Sequence, residues 1–132
     1  MKKFLALALA LVLALGCMIA CTKTGEQTSG EKTVVAIVVA GTFGDRSFYD
    51  SSKAGGDRLA KDFENVEVKY IECNSENHAV QMRNAADVAN IVGCVGWEVY
   101  DIESIAPEYP NVDFIWIDNA TEAPVSNVLN IT

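Results

Sequence analysis

Asp45, Phe48, Trp97 and Asp118 each stand where an apolar run gives way to a polar segment, and together they could hold a flat, polar, uncharged molecule. Asp45 and Phe48 follow the run VVAIVVAG (Val34–Gly41), Trp97 follows the run IVGCVG (Ile91–Gly96), and Asp118 closes VDFIWID (Val112–Asp118). An aromatic face stacked on a base contributes roughly 1 to 3 kcal/mol. Carboxylate acceptors add selection for ligand N–H or O–H groups, because a site built for such donors rejects analogues that lack them. Plainer roles stand beside these: core packing for the two aromatics, helix or turn caps for the two aspartates.

Other chemistries find less support. Gly41-Thr-Phe-Gly44 has neither the GxGxxG spacing nor the Lys-Ser/Thr of a phosphate loop, and Asp45 would meet a phosphate at the mouth. A helix N-terminus there would still favour an anion. A hydrolase needs a nucleophile beside a base, and the sole histidine, His78, falls in the first turn of a polar helix with no such pattern around it. It reads as a solvent-exposed helix residue. Cys73 and Cys94 form no CxxC pair, so no structural zinc site and no cofactor is expected.

The N-terminus speaks of export. Lys2 and Lys3 precede an apolar run, Phe4 to Leu15, which is short for a membrane span and placed where a secretory signal belongs. Cys17 after Ala14-Leu15-Gly16 and Cys21 after Met18-Ile19-Ala20 both resemble the lipobox at which a bacterial lipoprotein is lipidated and cut. Cys21 is the expected site, because cleavage there leaves a polar start, whereas cleavage at Cys17 leaves Met18, Ile19 and Ala20 stranded beside the lipid. The organisation expected is a signal peptide over 1–20, a flexible tether over 21–32 and one α/β lobe over 33–132. Such a protein would be exported and lipid-anchored on the extracytoplasmic face of the cell membrane. There it meets no ATP or kinase, which weakens a phospho-acceptor role for Asp45 or Asp118.

Loss of the first twenty residues takes Lys2 and Lys3 from ten basic residues and leaves eight against eighteen acidic ones, a net charge of −10. Nucleic acid is thereby disfavoured as a partner.

The elements that must position these residues alternate in period. Val34 to Gly41 and Ile91 to Gly96 read as strands buried on both faces, Val66 to Cys73 as an edge strand, Val112 to Asp118 as a fourth and Val125 to Ile131 as the start of a fifth. Between them lie three helices. The first runs from a Ser47 cap to about Phe63, with Phe48, Gly55, Leu59 and Phe63 along one face, and Gly55-Gly56 allows close approach to the sheet. The second is capped by Asn74 or Ser75 and buries Ala79, Met82, Ala86 and Ala89; the third covers Glu98 to Ala106. The fold class is α/β, an open doubly wound parallel sheet whose ligands bind outside the carboxyl ends of the strands. With the order 2-1-3-4, the first strand separates Cys73 from Cys94 by roughly 10 Å, beyond disulfide reach.

VVAIVVAGTFGDRSFYDSSKAGGDRLAKDF, then VEVKYIE, IVGCVGW and EYPNVDFIWID resembles the basic membrane protein (BMP) family of ABC-transporter substrate-binding lipoproteins, over nearly all of Val34 to Thr132. The better-known members bind purine and other nucleosides. The resemblance implies that Asp45 contacts the ligand, Ser47 caps the first helix, Phe48 stacks on the base, Trp97 supplies an aromatic face where Phe is common, and Asp118 falls on another site position. Tyr49-Asp50 stands where Asn is frequent. The implied fold is the N-terminal lobe of a two-lobed binding protein of the periplasmic type that closes like a hinged clamp and delivers ligand to an ABC permease without catalysis. The sequence stops inside the first lobe, so a fragment of a longer gene product is expected. The rival expectation is a lipid-anchored surface interaction module that uses the lobe as scaffold.

Overall fold

The computed structural model describes residues 32–132. The expected signal peptide, the lipidation site at Cys21 and all but the end of the tether lie outside the described residues. Among the described residues no helix is long and apolar enough to cross a membrane.

Five strands form one parallel sheet in the order β2-β1-β3-β4-β5, with β1 Thr33–Val39, β2 Val66–Glu72, β3 Ile91–Val95, β4 Asp113–Ile117 and β5 Val128–Ile131. β1 and β3 are the apolar runs, and they hold the centre because both of their faces find cover. β2 alternates half-buried Val66, Val68 and Tyr70 with exposed Glu67 and Lys69, and it sits at the edge. Lysine and glutamate there keep the open edge solvated.

One face of the sheet carries the core. Ala36 and Val38 of β1, Val92 and Cys94 of β3, and Phe114 and Trp116 of β4 pack with Met82, Ala85, Ile102 and Ile105. The last four belong to α2 (His78–Ala86) and α3 (Ile102–Ile105). Ala86 and Ala89 join this cluster with Ala79 at its margin, as the helical spacing predicts. The N-cap of α2 is Asn77 rather than the expected Asn74 or Ser75, while the Asn74 carbonyl accepts the His78 N–H at 2.9 Å and its side chain accepts the N–H groups of Glu76 and Asn77.

The other face meets α1 (Phe48–Asp62) over β1 and β2. The expected contact line through Phe48 and Phe63 is not the one used, since these are 40% and 54% exposed. α1 touches the sheet through Gly56, where an added Cβ would lie 2.7 Å from both Ile37 Cδ1 and the Tyr70 hydroxyl. Beyond α1, Leu129 and Ile131 of β5 remain about half exposed.

The third helix is much shorter than Glu98 to Ala106. Residues 97–101 form a turn, α3 spans four residues, and a 3-10 turn at Ala106–Glu108 follows. The carbonyl of Asp101 accepts the N–H groups of Ser104 and Ile105, which fixes the start, while Pro107 offers no N–H to continue an α-helix. Cys73 and Cys94 are buried free thiols on opposite sides of β1, as the strand order requires.

Candidate functional site

The loop after β1 turns sharply and is braced from below. The Tyr49 hydroxyl donates to the Ala40 carbonyl at 2.9 Å, and the Tyr49 ring lies so close to Gly41 that a Cβ there would fall 2.5 Å from Cε2. Gly44 and Arg46 take positive φ angles of 96° and 56°. This conformation points backbone N–H groups inward, and two carboxylates collect them. Asp45 accepts from Ser47 at 2.9 Å, Tyr49 at 3.2 Å and Asp50 at 3.2 Å; Asp50 accepts from Gly44 at 2.7 Å and Arg46 at 2.9 Å. These backbone N–H bonds, that of Ser47 foremost, hold the Asp45 carboxyl below its usual titration range.

Ser47 occupies the N-cap position of α1, but its side chain makes no capping bond. Asp45 performs that task, which corrects the expectation of a serine cap. The reason is local geometry: with Arg46 left-handed, the carboxylate two residues before the cap reaches the free N–H groups first. The Ser47 side chain stays exposed, and Phe48 next to it stands 5.9 Å from the Tyr49 ring at a tilt of 47°.

At the end of β2, Glu72 accepts the Phe43 N–H at 2.7 Å and so ties the first loop to the edge strand. Gly41, Thr42, Glu72, Cys73, Asn74 and Asn77 line an open cleft of about 310 Å³ there. The Cys73 thiol donates to the Val39 carbonyl at 3.2 Å beneath it.

At the end of β3, Gly96 has φ of 105° and is clamped: its N–H donates to Ile117 at 3.1 Å and its carbonyl accepts the Trp116 indole N–H at 3.0 Å. The chain then swings outward, leaving Trp97 64% exposed while Val99 is buried. Glu98 folds back, its Oε2 2.7 Å from the point a Gly96 Cβ would occupy. The end of β4 lies alongside. Asp118 has φ of 69°, its N–H donates to Ile131 at 2.8 Å, and its side chain is exposed.

All five expected site residues therefore lie at the carboxyl-end rim of the sheet, Asp45, Ser47 and Phe48 on the first loop and Trp97 and Asp118 at the adjacent ends of β3 and β4. Tyr49 and Asp50, noted in the sequence only as standing where Asn is frequent, and Glu98, which the sequence did not single out, complete the rim. The Asp-x4-Asp spacing around the start of α1 was the available signal for the paired carboxylates; Glu98 had none.

His78 corrects the reading of a solvent-exposed residue: it is 4% exposed, with Nε2 facing Asp101 and the ring 4.6 Å from that of Tyr100. Its partners come from the β3–α3 turn, which no local pattern reveals. Among the described residues no group of three or more His, Cys, Asp or Glu side chains is placed to hold a metal ion.

Residues 32–132 match the family Bmp, described as ABC transporter substrate-binding protein PnrA-like. A solute-binding protein of an ABC transporter system from Aeropyrum pernix K1 is similar in structure, with a TM-score of 0.68 and 26% identity over 74% of this chain and 28% of its own. A second, from Conexibacter woesei DSM 14684, has a TM-score of 0.65 and 26% identity over 74% of this chain and 34% of its own. A putative lipoprotein fragment from Peptoclostridium difficile 630 shares the fold at 18% identity, with a TM-score of 0.68 over 76% of this chain and 84% of its own. No curated protein sequence matches the chain. The chain spans about a third of the length of the two solute-binding proteins. It belongs to the PnrA-like family of ABC transporter substrate-binding proteins.

Proposed function

We propose that the lobe is part of an extracytoplasmic solute-binding lipoprotein, anchored through Cys21, that binds purine or related nucleosides and passes them to an ABC permease without catalysing a reaction. The observation that carries this reading is the exposure of two large aromatic side chains, Phe48 at 40% and Trp97 at 64%, at the carboxyl ends of neighbouring strands. Exposed aromatic faces on the rim supply stacking surface for a flat ligand. Ser47 and Asp118 offer polar atoms beside them. Asp45 acts by fixing the loop that presents Ser47 and Phe48, and its charge turns anions away from the mouth. A nucleoside, with its planar base and no charge, suits such a rim better than a nucleotide does.

Titration calorimetry of the full-length gene product, freed of bound ligand, tests the reading. Binding of a nucleoside without the corresponding monophosphate is the expected result. Absence of heat with every nucleoside would exclude the substrate class.

A further inference from the structure

The rim is rich in carboxylates, and they divide by what their oxygens hold. Asp45 accepts three backbone N–H groups, Asp50 two and Glu72 one, while Asp101 faces His78. Glu98 and Asp118 accept no hydrogen bond and enter no ion pair among the described residues. Asp118 is exposed, so water satisfies it. Glu98 is half-buried and tucked over Gly96, and its carboxylate oxygens remain free to accept a donor from outside the protein.

Its position is the centre of the rim. β1 is flanked by β2 on one side and β3 on the other, so the chain reverses its direction of travel across the sheet between β1 and β3; in open parallel sheets this is where the ligand crevice opens. The Tyr49 hydroxyl, from the β1 side, lies 3.9 Å from the same Gly96 Cβ point that Glu98 Oε2 approaches from the β3 side. Burial raises the titration of Tyr49 and of Cys73, and the nearby Glu98 charge adds to both. The carboxylate thus stands over the switch point, next in sequence to the Trp97 face.

We propose that Glu98 is the specificity-determining acceptor of this rim, reading a ligand edge that offers two adjacent N–H donors. A carboxylate with both oxygens open binds a planar donor pair bidentately, as it does with guanidinium. Among nucleosides, guanosine presents such a pair in its ring N–H and exocyclic amine. Inosine keeps only the ring N–H, and adenosine has a lone exocyclic amine beside an acceptor. The inference rests on the nucleoside reading above and names which member of the class the rim favours.

Calorimetry with guanosine, inosine and adenosine on the full-length gene product and its Glu98→Gln variant decides it. Wild type should prefer guanosine to adenosine by about tenfold or more, and Glu98→Gln should cost guanosine about tenfold and adenosine less than about threefold. Glu98→Asp, keeping the charge with a shorter reach, should fall between. Equal melting temperatures of the three proteins separate lost binding from lost folding. A wild type that prefers adenosine, or a guanosine-to-adenosine ratio unchanged in Glu98→Gln, overturns the role of Glu98 and leaves the nucleoside reading standing. No heat with these or any pyrimidine nucleoside overturns both.

Discussion

His78 Nε2 lies 2.9 Å from Asp101 Oδ2, and Nδ1 of the same ring lies 3.1 Å from the Ser75 carbonyl oxygen. One buried side chain therefore ties the start of α2 to the turn that carries Trp97 and Glu98. His78→Ala removes both bonds and the contact with Tyr100. We expect a loss of about 1 to 3 kcal/mol in urea unfolding, the range for leaving buried polar groups unpaired. A change below a few tenths would show the bond to be incidental.

The two glycines of α1 should respond with opposite sign. A methyl group on Gly55 meets nothing within 4 Å, so Gly55→Ala gains helix propensity of roughly 0.8 to 1 kcal/mol. On Gly56 the methyl meets the Tyr70 hydroxyl at 2.7 Å, and that hydroxyl is held by Asp57 at 2.6 Å and the Lys53 carbonyl at 3.2 Å. Displacing Tyr70 costs about 1 to 3 kcal/mol through overpacking, so Gly56→Ala is destabilising despite its better propensity. Thermal unfolding of the two variants checks the signs.

Both thiols should be unreactive while the protein is folded. Burial, with the Glu98 charge adding to it, pushes Cys73 up to about 11, and burial pushes Cys94 up as well. In the segment from Thr22 onward, which contains only these two cysteines, an aromatic disulfide reagent at pH 8 should titrate two thiols in denaturant and react far more slowly without it. Rapid reaction of the native protein would contradict the packing of β1 over Cys73.

Much of this arrangement was readable in the sequence because parallel strands buried on both faces leave continuous apolar runs. VVAIVV and IVGCV announced the centre of the sheet, and the alternation in VEVKYIE announced its edge. The rim followed from topology, since strand ends are fixed once the strands are. What escaped depended on partners distant in sequence or on backbone angles. His78 is buried only because Asp101 and Tyr100 come back to it. Asp45 displaces Ser47 as cap only because Gly44 and Arg46 are left-handed. Asn127, whose amide nitrogen lies 2.9 to 3.0 Å from the carbonyl oxygens of Ala106, Tyr109 and Val112, gave no signal at all.

Acid should weaken the first loop. The folded-state titration of Asp45 is depressed by its backbone N–H bonds, so its contribution is fully present above the ordinary aspartate value of 3.8 and is lost as pH falls through the lowered one. Asp57, held by Lys53, and Glu108, held by Arg83, behave in the same sense. Denaturant unfolding between pH 6 and pH 2 should show stability falling below about pH 4, with a shallower fall in Asp45→Asn. An identical slope in the variant would show that the Asp45 carboxylate does not contribute to this acid sensitivity.

Under the proposed function, the rim around Phe48 and Trp97 holds a nucleoside. Calorimetric titration of ligand-free full-length gene product, beside its Phe48→Ala variant, tests it most directly. Saturable binding of at least one purine nucleoside is expected, with a loss of about 1 to 3 kcal/mol when the Phe48 ring is removed. Saturable binding that Phe48→Ala leaves unchanged, or no binding of any nucleoside, would contradict it.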